Sequence, residues 1–222
     1  MLQGWQINSV VQVQGGQPWS GRDLTNDISG TGLVNDVNYA GRWNFSGNPA
    51  DFTSGPSVIP CWSGSGGAAL AGCSIGGATA PTACTTAAAA ISANTVSALN
   101  SIGCYVKGNS ALFPSALGTF GNAGRNIFSA SGFQQVDFSI FKDWKFRERY
   151  DAQFRVEIFN VFNHTNFADP GGLGTGNGFD DPSGGESGQF GCGCITPDQS
   201  SPNPVLGAGG ARAMQLGLRL SF

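Results

Sequence analysis

Charge is what this chain has least of. Lys, Arg, Asp and Glu together supply 11% of its 222 residues, under half of the roughly 25% usual in a soluble domain. That shortage excludes a salt-bridge-laced helical bundle, a coiled coil and a highly charged disordered tail. Basic residues number 11 against 14 acidic ones, for a formal net charge of −3, so no basic footprint for nucleic acid exists. No run of about 18 apolar residues occurs, which excludes a membrane-spanning helix. A mean hydropathy of −0.06 excludes a polytopic helical membrane protein. The opening Leu2-Gln3-Gly4-Trp5-Gln6-Ile7 lacks the basic start and apolar core of a signal peptide. Histidine occurs once, at His164, and by itself builds neither a triad nor a multi-His metal site.

Glycine, by contrast, is abundant at 35 residues, phenylalanine reaches 16, and cysteine is present as an even six. This cysteine density points to an oxidising compartment. Four segments alternate apolar and polar residues with the period of two that marks half-buried strands. They span about residues 5–14, 134–146, 151–163 and 211–222. In the second, Val136, Phe138 and Ile140 oppose Asp137, Asp143 and Lys145, with Lys142 an exception on the apolar side. In the third, Phe154, Val156 and Ile158 oppose Gln153, Arg155 and Glu157. The fourth sets Leu216, Leu218, Leu220 and Phe222 against Gln215 and Arg219. A tight turn near 147–150 joins the middle two, whereas about 15–132 and 164–210 are long stretches rich in Gly, Ser, Asn, Asp and Pro, the residues of loops.

Strands of about 10–13 residues exceed the roughly 5–6 usual in globular sheets. Tilted by about 45°, each crosses the hydrocarbon thickness of a bilayer. One short turn between two long loops fits an outer-membrane barrel with short periplasmic turns and long extracellular loops. The expected fold is therefore all-β: the last four or so antiparallel strands of a transmembrane β-barrel, with one short loop helix. Val136, Phe138, Ile140, Phe154, Val156, Ile158, Leu216, Leu218 and Leu220 would face lipid. Asp137, Asp143, Lys145, Gln153, Arg155, Glu157, Gln215 and Arg219 would face the lumen, with Arg155 across from Asp143 as an ion pair. Four strands cannot close a barrel, since the smallest bacterial ones have about eight, so the chain reads as the carboxyl-terminal part of a larger protein. The alternatives are a passive porin, or a secreted disulfide-linked β-sandwich that binds glycans and folds alone in water.

Within the first long loop, Thr85-Thr86 can cap a helix that runs through Ala87–Ala90, Ile91, Thr95, Leu99 and Ile102 and stops at Gly103,. The cysteines lack metal-site spacing and suggest disulfides instead. A straight helix over 86–101 would hold Cys84 and Cys104 about 24 Å apart, too far to bridge unless the chain doubles back. That favours Cys73–Cys84 and Cys61–Cys104, with Cys192–Cys194 either a tight loop or reduced. His164, just past a strand end, suits a loop hydrogen bond. Asp180, Asp181 and Glu186 could offer oxygens to Ca²⁺ but lack EF-hand spacing, and a solvated loop is the simpler reading. Gly171–Gly176 precedes no apolar helix and is a surface loop, not a nucleotide fingerprint. No cofactor and no catalytic or metal residue is expected.

Gly124-Arg125-Asn126-Ile127-Phe128 followed by Val136-Asp137-Phe138-Ser139-Ile140-Phe141-Lys142 resembles the carboxyl-terminal barrel of TonB-dependent outer-membrane receptors. The likeness is to the Oar-like group, whose amino-terminal domain is carboxypeptidase-regulatory-like. Phe154-Arg155-Val156-Glu157-Ile158-Phe159-Asn160-Val161-Phe162-Asn163-His164-Thr165-Asn166-Phe167 resembles that group's penultimate strand and its exit, and residues 211–222 its final strand. The resemblance covers about 104–222 well and 5–20 more loosely. It implies a ligand-importing receptor in the bacterial outer membrane, without enzyme activity. Its partners would be membrane lipid, the rest of the barrel with its plug domain, and the TonB system through an amino-terminal part not found in these 222 residues. Phe222, an aromatic at the carboxylate end, resembles the signal read by the outer-membrane assembly machinery through strand addition.

Overall fold

The computed structural model describes residues 3–23, 27–33, 41–66, 70, 73–146, 150–170, 190–200 and 206–222. The Asp180, Asp181, Glu186 and Gly171–Gly176 segments lie outside them. The chain divides into two compact units, one built from residues 1–15, 132–167 and 195–222, the other from 16–131 and 168–194.

In chain order the elements are β1 (Trp5–Gln14), β2 (Pro18–Trp19), β3 (Asn44–Ser46), a 3-10 turn (Pro49–Phe52), β4 (Cys61–Ser63), α1 (Thr82–Ala89), α2 (Ala93–Ile102), β5 (Gly103–Lys107), β6 (Ser110–Phe113), β7 (Phe128–Ser129), β8 (Phe133–Phe146), β9 (Tyr150–Phe159), α3 (Pro197–Ser200) and β10 (Ala213–Ser221).

The first unit is a fully antiparallel four-stranded sheet in the order β1-β8-β9-β10. All four alternating segments are strands, and β1, β9 and β10 have 10, 10 and 9 residues. Those lengths match the roughly 9–11 residues of a tilted strand that crosses a bilayer. The sheet is open, with β1 and β10 as its edges. β9 stops at Phe159 rather than Asn163, because Asn160 and Asn163 adopt positive φ, at 51° and 50°. Asparagine tolerates this left-handed conformation.

The second unit shows that the long connections, loop-like in composition, also build regular elements and a core. It holds a four-stranded antiparallel sheet, β3-β6-β5-β4, a β2-β7 pair and a helical hairpin. Trp43, Phe52, Tyr105, Leu112, Phe113 and Phe128 are all buried to 1% exposure or less. Phe52 stacks on Phe128 at 5.5 Å, and Trp19 lies 4.8 Å from the same ring. Packing of this kind stabilises beyond the apolar area it buries. Both long connections contribute: Phe190 packs on Trp19 and Tyr105, and the Ile59 N–H donates to the Phe190 carbonyl at 3.0 Å.

The single expected helix is two. α1 begins at Thr82 behind Pro81, whose φ of −55° already suits a helix start,. Ser92 then breaks the run, since its hydroxyl accepts the Thr95 N–H at 3.1 Å and caps α2 afresh,. Gly103 ends α2, as expected, at a φ of 125°, where a side chain would strike the Trp62 carbonyl. Because the chain doubles back, Cys84 reaches Cys104, their Cα atoms 6.6 Å apart. Cys61 bridges Cys73 at 4.9 Å, and Cys192 bridges Cys194. The expected Cys73–Cys84 and Cys61–Cys104 pairings are therefore both corrected, and the error traces to the assumed straight helix.

Candidate functional site

The feature of the first unit able to carry function is the long sheet with two chemically unlike faces. Residues opposite one another in a sheet share a face, so strand register alone sorts the side chains. Ile7, Ile140, Val156 and Leu216 form one cross-sheet row, and Phe138, Ile158 and Met214 another. Phe154 and Leu218 follow, then Trp144, Ala152 and Leu220, with Val11 beside Val136 at the other end. This face is apolar, and much of it is uncovered: Ile7 is 65% exposed, Leu216 63%, Leu218 67% and Leu220 65%. A contiguous exposed apolar surface of that kind is foreign to a protein face in water.

Toward the β8–β9 turn the apolar face becomes aromatic. Trp5, Trp144, Phe146 and Tyr150 cluster at that end and are exposed, and Phe222 follows the last paired residue of β10. Lys142 sits among them as the cation of the apolar row. Its Nζ donates to the Gln3 carbonyl at 2.6 Å and lies 5.1 Å from the Trp5 ring and 5.8 Å from the Trp144 ring. A carbonyl and two electron-rich ring faces thus replace the water that an ammonium would otherwise need.

The opposite face is polar and internally hydrogen-bonded. Asp137, Asp143, Lys145, Gln153, Arg155, Glu157, Gln215 and Arg219 all fall on it. Its pairing differs from expectation: Arg155 lies opposite Phe141, while Asp143 lies opposite Gln153. Phe146 pairs with Tyr150, and that pair fixes the register of the two strands. Gln153 Nε2 donates to Asp143 Oδ1 at 2.8 Å, and Arg155 pairs along its own strand with Glu157 at 3.3 Å. That ion pair is partly exposed and contributes little to stability.

At the end of the sheet where β9 exits, Asn160 organises three segments. Its backbone N–H donates to Asp137 Oδ1 at 2.9 Å, its Nδ2 donates to the carbonyls of His164 and Gly210, and its Oδ1 accepts the His164 N–H. Asn163 Oδ1 accepts the Arg212 N–H at 3.0 Å. Asn166 Oδ1 accepts the Gln134 N–H at 2.8 Å and faces the His164 ring at 3.2 Å. The Asn-Val-Phe-Asn-His segment is therefore a knot that ties β9 to β8 and β10, and His164 is a loop hydrogen-bonding residue. Sequence reading missed the role of Asn160. The signal present was a pair of asparagines three apart at a strand end.

Among the described residues no group of three or more His, Cys, Asp or Glu gathers to hold a metal, and no helix is long and apolar enough to cross a membrane. A family model described as outer membrane beta barrel domain matches residues 1–215. No curated protein matches the chain, and no solved structure does.

Proposed function

Because the chain belongs to the outer membrane beta barrel domain family and so resides in the bacterial outer membrane, we propose that its four long strands are the carboxyl-terminal wall of a TonB-dependent receptor of the Oar-like group. The observation that carries the reading is the uncovered apolar row from Ile7 to Leu220 set back to back with the hydrogen-bonded polar row. The apolar row contacts lipid, and the polar row contacts water or a plug. The aromatic cluster around Trp5, Trp144 and Tyr150 occupies one membrane–water interface. The likeness of the segments 124–128, 136–142, 154–167 and 211–222 to that receptor group supports the finer assignment.

In this reading the receptor captures a ligand outside the cell, and TonB drives its passage through a plugged barrel. The chain performs no covalent chemistry and needs no cofactor. Further strands, the plug and the TonB contact come from elsewhere in the receptor, and the assembly machinery reads the strand that ends at Phe222. The second unit, with its own core and disulfides, forms an extracellular platform.

The test is on protein extracted from outer membranes. A heat-modifiable band on electrophoresis, crosslinking to TonB in cells and no liposome swelling with arabinose or maltose are expected. Free sugar permeation without TonB crosslinking would establish a passive porin instead. Recovery as a stable soluble monomer would establish the secreted glycan-binding sandwich.

A further inference from the structure

Where β9 leaves the sheet, the first unit holds a half-open pocket of about 110 Å³ lined by Gln135, Asn160, Asp198, Gly207, Gly210 and four apolar residues. Gln135 is 3% exposed. Its Nε2 donates to Asp137 Oδ1 at 2.8 Å, to Asp137 Oδ2 at 2.9 Å and to the Gly207 carbonyl at 2.8 Å. Three acceptors around one nitrogen fix which amide atom is which. Gln135 Oε1 is consequently an acceptor, and it is buried without a donor. Asp198 Oδ1 is buried without a donor as well.

Buried acceptors in this state call for a partner. The Asn160 Nδ2 donor that borders the pocket is already spent on the carbonyls of His164 and Gly210. The carbonyls of Gly207 and Gly210 each accept one hydrogen bond from a side-chain amide and keep a second lone pair. The charge of the wall is negative. Asp198 borders the pocket, Asp137 lies one amide behind it, and among the described residues neither has a salt-bridge partner. Free oxygen acceptors beside a carboxylate, in irregular geometry, are the conditions a calcium ion accepts, whereas magnesium demands near-ideal octahedral coordination.

We propose that this pocket is a calcium site, with Asp198 Oδ1 and Gln135 Oε1 as its side-chain ligands and the Gly207 and Gly210 carbonyls and water as the remaining ones. It clamps α3 and the approach to β10 onto the knot at the end of β8 and β9. The site stands on the first unit alone and is independent of the import reading.

The experiment is calorimetric titration of calcium chloride into chelator-stripped full chain, extracted in detergent. One saturable site is expected, with a dissociation constant on the order of 10⁻⁴–10⁻³ M as in extracellular calcium modules, and with weaker binding of magnesium. Asp198→Asn should weaken calcium at least tenfold. Gly210→Ala should do the same, because its new methyl would press on the Asp198 carboxylate. Asp181→Asn, in the other acidic segment, should leave binding unchanged. Absence of saturable heat in the native chain would mean that water alone satisfies the two oxygens and would overturn the proposal. So would native binding by both Asp198→Asn and Gly210→Ala, or loss of binding by Asp181→Asn. If the two site variants lose the circular dichroism of the sheet, the native chain decides: calcium must raise its unfolding midpoint and magnesium must not.

Discussion

Two residues show how single side chains are held where composition offers little help. Lys142 is a cation on an apolar face, accommodated by the Gln3 carbonyl and two tryptophan rings. A double-mutant cycle of Trp5→Leu and Lys142→Met should therefore show a coupling of about 1 kcal/mol, read from denaturant unfolding in liposomes. Additive effects would mean that the ring and the ammonium do not interact. In the second unit, Asp27 closes a small turn. Its carboxylate accepts the backbone N–H of Gly32 first of all, and also the N–H of Thr31 at 2.8 Å and the Thr31 hydroxyl. The Gly32 hydrogen bond leads the causes that hold its pKa below the ordinary 3.8. The bound form is the charged one, so the turn is intact above pH 3.8 and loosens as pH falls through the depressed value. The amide resonances of Thr31 and Gly32 should shift together in that acid range. Asp27→Asn should abolish the pH response.

At the scale of elements, the Cys84–Cys104 bridge locks a helical hairpin onto a strand. Replacing both cysteines with serine closes no loop in the unfolded chain and should cost about 3 kcal/mol of the second unit's stability, measured by tryptophan fluorescence during denaturant unfolding. The hairpin also shows where sequence reading succeeded and where it failed. Period-two alternation revealed all four long strands, because each puts apolar side chains on one face of the sheet and polar ones on the other. It also separated the two faces residue by residue. The helix break at Ser92 was missed, since Ala87 to Ile102 keeps helical spacing through it and only the cap hydroxyl interrupts the run. From that error followed the wrong disulfides. The β8–β9 register was missed by two residues because pairing depends on turn length, which alternation does not encode. Asn160 was visible as part of a motif, but its four hydrogen bonds join residues up to 50 positions apart, and no local pattern announces contacts of that range. The core of the second unit was hidden for a related reason. Its strands have two to five residues, too few to show a period.

For the molecule as a whole, the decisive property is that one face of the long sheet is apolar and the other polar. Leu218→Arg places a charge on the apolar row and should destabilise the membrane-embedded state by about 2–4 kcal/mol if it lies near the bilayer midplane. Gln215→Arg, on the polar row, should fold as the native protein does. Urea titration of the heat-modifiable band in liposomes compares the two. Equal tolerance of both substitutions would remove the argument for lipid contact. The open edges of the sheet carry a further consequence. With four alternating strands, β1 and β10 run in opposite directions. Two such borders can be joined by alternating neighbours only if these arrive in pairs, so a closed wall built on this sheet has an even total. The hydrogen-bond count along the seam then balances without a parallel contact anywhere around the circumference.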